Sequence, residues 1–191
     1  MKIKITLLML ILTMTAMADI GLNFNRKGEF VPPDMILQNR AIEYYQDGKI
    51  SEAMQNFKRS ARFGNNHSKY YIAHLYFEEK NWITGYAWLK LINKPIEKSA
   101  ALSKKIQSLL AKNELILSAK TLEALSADYN DEKALKRRQK WEKSFKGVGS
   151  NIPGIDAMMR RNIRLTVGEG DLPVESTVVR RVVKKYVENG S

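Results

Sequence analysis

A stretch near the middle of this chain comes close to repeating itself after about 32 residues, and no other feature limits its fold as much. With Ala41 set on Ala73, Tyr44 falls on Tyr76, Tyr45 on Phe77, Asp47 on Glu79 and Ile50 on Trp82. Further along, Ala53 falls on Gly85, Met54 on Tyr86, Phe57 on Leu89 and Lys58 on Lys90. Small residues alternating with aromatic ones at such a period predict stacked helix hairpins, a short α-solenoid in a mostly α chain. Architectures of that kind usually hold partners rather than catalyse.

Helical spacing supports the same picture. Pro33 suits the first turn of a helix, and Asp34 places a carboxylate near its positive end. Ile36, Leu37, Arg40, Ala41, Tyr44 and Tyr45 then share one face, and Gly48 is free to take the left-handed conformation that ends the helix. Ser51 is expected to cap a second helix with Ala53, Met54, Phe57 and Ala61 inside, closed by Gly64-Asn65-Asn66. A third is expected from Ser68 to Glu79 and a fourth from Trp82 to Ile92. Pro95 starts a longer fifth, and Asn113 caps a sixth whose Leu117, Leu122 and Leu125 pack as a hairpin.

Outside this block the chain reads differently. Lys2, Lys4, the apolar run Ile5–Leu12 and Ala16-Met17-Ala18 have the form of a cleaved signal peptide over residues 1–18, which implies export to a bacterial periplasm. Residues 19–33 read as an irregular lead-in, 34–130 as the helical repeat domain, 131–146 as a basic amphipathic helix, and 147–191 as a loosely ordered basic C-terminal region. Ile163–Val167 fits a short strand, whereas Val178, Val179, Val182, Val183 and Tyr186 fit either a helical face or a strand. The chain contains no cysteine, so its core alone must hold it together and thiol chemistry is excluded. Thirty-two basic against 20 acidic residues leave a net charge of +12, concentrated in the last third.

Ala41, Tyr44, Gly48, Ala53, Phe57 and Ser60-Ala61, followed by Gly64-Asn65, resemble one tetratricopeptide-type unit of the Sel1-like family. Ala73, Tyr76, Gly85 and Leu89 form a weaker second unit, with Lys80 where a turn glycine is expected. Gly85-Tyr86-Ala87-Trp88-Leu89 is similar to the segment that closes many bacterial Sel1-like proteins, and Leu109–Tyr129 resembles the helix pair that follows it. The resemblance covers roughly residues 34–129 and implies a scaffold or adaptor working through protein–protein contacts. In that geometry Ile42, Tyr45, Tyr70, His74 and Phe77 would face the groove, where an aromatic, mildly polar surface suits a peptide or helix partner in the envelope. Packing against segment 19–33 or the tail is the alternative use of these side chains. The lysine and asparagine clamp that some related domains use is not evident, since Gln38 and Ile42 occupy two of its positions.

In the basic segment Lys133–Lys146, Ala134, Arg138, Trp141 and Phe145 share a face. Either it is a solvated face whose aromatics cover the last hairpin, or it lies on an anionic membrane surface; export argues against nucleic acid. Arg160-Arg161, Arg164, Arg180-Arg181 and Lys184-Lys185 extend the positive field. Nothing points to an enzyme, a cofactor or a metal. His67 and His74 are too widely spaced for the ligand pair of a zinc helix. Glu78-Glu79 reads as an exposed helix end. Gly147-Val148-Gly149-Ser150 lacks the Lys-Ser/Thr and the preceding strand of a phosphate loop.

Overall fold

The computed structural model describes residues 21–94, 96–145, 154, 165–167, 170–174 and 176–191. The signal-peptide segment, Pro95, the phosphate-loop look-alike at 147–150 and Arg160, Arg161 and Arg164 lie outside the described residues. The chain is mostly helical: α1 Pro33–Gln46, α2 Ile50–Ala61, α3 Asn66–Glu78, α4 Trp82–Lys90, α5 Glu97–Leu109, α6 Lys112–Tyr129, α7 Asp131–Lys143 and α8 Ser176–Asn189. Among the described residues there are also two antiparallel strand pairs, β1 Asn23–Phe24 with β2 Phe30–Val31, and β3 Leu165–Val167 with β4 Gly170–Val174. No helix among the described residues is long and apolar enough to cross a membrane.

Helices α1 to α4 pack in chain order, each on the next, and α4 also rests on α5 and α6. The two hairpins α1–α2 and α3–α4 turn by the same backbone bonds. After α1, Gly48 N–H donates to Tyr45 O (3.1 Å) and Lys49 N–H to Tyr44 O (2.8 Å). After α3, Lys80 N–H donates to Phe77 O (2.9 Å) and Asn81 N–H to Tyr76 O (2.8 Å). Both are Schellman closures, which require a left-handed residue just past the helix. Gly48 supplies it at φ +74°, and Lys80 is forced into it at φ +58°. Gly48 does so without cost; Lys80 carries the steric penalty of a β-carbon.

The residues that the repeat makes small lie where helices approach closely. Ala41, Ala53, Ala61 and Ala73 are fully buried, and Phe57 and Leu89 fill the space beside them. Tyr44 and Tyr76 are half-buried against the same cluster. A β-carbon on Gly85 would come within 2.3 Å of Phe77 Cε1 and 3.0 Å of the Ala73 carbonyl, so α4 meets α3 too tightly for any side chain there. Trp88 and Tyr129 meet edge to face at 4.7 Å and join α4 to α6.

Several boundaries differ from the sequence expectations. Helix α2 begins at Ile50 after Lys49, so Ser51 lies inside the first turn instead of capping it. Asn65 caps α3 two residues earlier than expected, its side chain accepting from Ser68 N–H. Ala111 precedes α6, and Glu114, not Asn113, closes that end by accepting from the Ala111 N–H at 2.8 Å. Leu117 is 48% exposed, because the packed face of α6 runs through Leu115, Leu122 and Leu125, and Leu117 is off that helical step.

The larger difference is a second core. Leu37, Phe63, Trp141, Val179, Val183 and Tyr186 bury one another, with Leu22, Phe24, Phe30, Phe145, Val182 and Val187 at its edge. The expected irregular lead-in is, from Asn23 to Val31, a hairpin. Asn25 Oδ1 accepts from Lys27 N–H (2.9 Å) and Glu29 N–H (3.0 Å), and Gly28 turns at φ +76°. Phe24 and Phe30 lie directly across the ladder and contact edge to face. The expected loose tail gives way over 176–191 to α8, whose Val179, Val183 and Tyr186 repeat at helical spacing and are sequestered against α7 and β2. Burial of Val179 and Val183 on a helical face decides the helix-or-strand ambiguity, and Val178, expected on the same face, stays outside that core and is exposed.

Candidate functional site

The α1–α3 face carries the residues that the sequence assigns to a groove. Tyr70 and His74, one turn apart on α3, meet edge to face at 4.7 Å. Tyr45 crosses from α1, and its hydroxyl donates to Glu78 Oε1 on α3 at 2.9 Å. Around them lies an open hollow of about 170 Å³ lined by Tyr45, Phe57, Tyr70, Tyr71, His74, Leu75 and Glu78. Phe57 and Tyr71 stack at 4.9 Å and 10°, making a flat aromatic floor. The hydrogen bond to Glu78, and then that carboxylate's charge, hold the Tyr45 phenol above its ordinary pKa.

Two of the expected groove residues do not line this hollow. Phe77 stacks on Trp82 at 5.4 Å and sits over Gly85, filling the α3–α4 crossing. Ile42 is half-buried against the main core. Glu78, Tyr71 and Phe57 line it instead. Glu78 reads in sequence as an exposed helix end, and only the chain-distant Tyr45 hydroxyl shows that it belongs to a site. The N-terminal hairpin does not cover this face: the Phe30 ring lies against Trp141 and Tyr186 in the second core.

A second, larger cleft of about 480 Å³ lies among the α2–α3 turn, Asn93-Lys94, α7 and the segment 188–191. Asp131, Glu132 and Glu188 line it, and the first two have local partners. Asn93 Nδ2 donates to Asp131 at 2.5 Å, and Lys136 pairs with Glu132 on the same helix. Beneath it Lys69 is only 1% exposed, its Nζ donating to the Leu91 carbonyl at 3.3 Å. Burial lowers its pKa, partly offset by the charge of Asp131. Asp34, also buried, accepts from Asn65 Nδ2 (2.9 Å) and from the Ser191 hydroxyl, so one carboxylate ties α1, the α2–α3 turn and the end of α8 together.

In the basic helix α7, Ala134, Arg138 and Trp141 share one face, as their spacing predicts, and all three are buried. Trp141 and Phe145 do not cover the last hairpin; they enter the second core, where Trp141 meets Tyr186 at 5.7 Å. Arg138 donates to the carbonyls of Phe63 (2.6 Å) and Val187 (2.8 Å), so this arginine is a structural strut. Lys133, Lys136, Lys140 and Lys143 stay exposed. His67 is exposed and distinct from the His74 cluster. Among the described residues no group of three or more His, Cys, Asp or Glu side chains is disposed to hold a metal ion. Compared with known proteins, the chain matches no family model, no curated protein and no solved structure.

Proposed function

We propose that this chain is an exported, Sel1-like adaptor of the bacterial envelope that holds a peptide or helix of a partner protein on its α1–α3 face. The hollow formed by Tyr45, Tyr70, His74 and Glu78 is the observation that carries this reading. Two points support the Sel1-like assignment: the paired Schellman turns after α1 and α3, and the small residues where α1–α2 and α3–α4 cross. Tyr45 is 38% exposed, an aromatic side chain left at a protein surface where a partner can cover it.

The test is affinity capture from periplasmic extract with wild-type protein and a Tyr45→Ala, Tyr70→Ala double variant, read by mass spectrometry. The adaptor reading expects a specific set of proteins recovered by wild type and lost by the folded variant. Equal recovery by both contradicts it.

A second reading, contact with anionic lipid or wall polymer through the basic C-terminal region, draws support from Arg181, Lys184 and Lys185, which are exposed on α8. Trp141 and Phe145 would add nothing to that contact, because both are engaged in the second core.

A further inference from the structure

The hollow on the α1–α3 face has a chemical polarity of its own. Its floor is apolar, built from the Phe57–Tyr71 stack and Leu75. Its rim carries the Glu78 carboxylate and the Tyr45 oxygen bonded to it. No lysine or arginine is among its lining side chains. At about 170 Å³ it lies below the roughly 300–1,000 Å³ of sites that enclose a drug-sized ligand, so it has room for a side chain and not for a nucleotide or flavin.

We propose that this hollow takes one basic side chain, lysine or arginine, from an extended partner peptide. The proposal rests on the adaptor reading and specifies its ligand. A lysine has an alkyl stem that prefers apolar surface and an ammonium tip that prefers an acceptor, the same order as floor and rim. The ammonium would sit against Glu78 in a charge-assisted bond, with the Tyr70 and His74 rings flanking the stem. An acidic side chain would meet the Glu78 charge head-on. A polybasic ligand is disfavoured for a different reason: with Lys2 and Lys4 removed in the signal segment, 30 basic against 20 acidic residues leave a net charge of +10 that repels it at long range, while one cation is attracted by the local acid. The occupant is therefore a single basic residue in a peptide that is otherwise near neutral.

The test uses the whole protein and two short peptides with blocked ends, identical except that one has lysine and the other norleucine at the same position. Ring-proton NMR shifts of Tyr45, Tyr70 and His74 follow each titration up to millimolar peptide, on wild type and on Glu78→Gln. The inference expects the lysine peptide to bind about tenfold more tightly than its norleucine twin, the scale of one charge-assisted contact, and Glu78→Gln to erase that preference. Equal binding of both peptides to wild type overturns the basic-side-chain inference and leaves the adaptor face standing. A lysine preference that persists in Glu78→Gln also overturns it. No movement of these rings with either peptide overturns both the inference and the reading beneath it. Glu78 is exposed and its replacement is isosteric, so the variant keeps the fold.

Discussion

Gly48 and Lys80 occupy the same place in two turns and differ by one β-carbon. The left-handed backbone at φ +74° costs glycine nothing, whereas Lys80 at φ +58° bears a steric penalty. A β-carbon added to Gly48 would touch nothing within 4 Å, so Gly48→Ala isolates the conformational cost. It should destabilise by about 1–2 kcal/mol. In Lys80→Gly the relief of strain is opposed by the greater freedom of glycine in the unfolded chain, so stability should stay within about 1 kcal/mol of the parent. Urea melts of the two variants check the asymmetry; equal and large losses would mean that the turns are not equivalent. At this scale the sequence was a partial guide. Lys80 was legible as a glycine position, but the burial of Asp34, Lys69 and Arg138 was not. Charged residues normally stay in water, and only partners far along the chain, such as Leu91 for Lys69 and Phe63 for Arg138, make their burial affordable.

At the scale of elements, the two cores differ in how they could be read. The α1–α4 block was legible because each helix displays its own apolar face, and the turns between them are closed by local bonds. The second core was not, because its members come from five separated stretches, 22–30, Leu37, Phe63, 141–145 and 179–187, and all but the last are too short or too charged to show an apolar period. Phe24 and Phe30 pair across a two-residue ladder with Leu22 just before it, Phe63 stands alone beyond α2, and Trp141 sits on a helix whose composition is dominated by charge. Only α8 displays a periodic apolar face, and its valines pull toward strand. Trp141 joins these pieces, meeting Phe30 at 6.2 Å, Phe145 at 5.0 Å and Tyr186 at 5.7 Å. Trp141→Ala should therefore cost about 3–5 kcal/mol and free α8 from the body. Amide hydrogen exchange would show protection lost in Val179–Tyr186 and kept in Ala53–Ala61. Uniform loss across both segments would argue that the two cores unfold as one.

For the whole molecule, the chain closes on itself: the β1–β2 hairpin, the start of α1 and α8 share one core, and Tyr186 lies beside Asp34 within it. Burial, and then the Asp34 charge, push the Tyr186 phenol far above its ordinary value. The unfolded phenol ionises near pH ~10, so above that the unfolded chain sheds a proton that the folded chain keeps. This contribution is intact below pH ~10 and declines as pH rises further. Relative to Tyr186→Phe, the wild type should lose about 1 kcal/mol between pH 10 and 11 in urea melts; parallel curves would place the phenol in contact with water.

That closure leaves the α1–α3 face open on one side and the α8 cations exposed on another. Paired capture therefore decides which surface works. Wild type, the Tyr45→Ala, Tyr70→Ala variant and a Lys184→Ala, Lys185→Ala variant are immobilised at equal amounts, exposed to envelope extract containing membrane and wall fragments, and scored by what each retains. An adaptor acting through its aromatic face loses its proteins in the tyrosine variant and keeps them in the lysine variant. Retention by the tyrosine variant with loss in the lysine variant would contradict that account and assign the work to the basic helix.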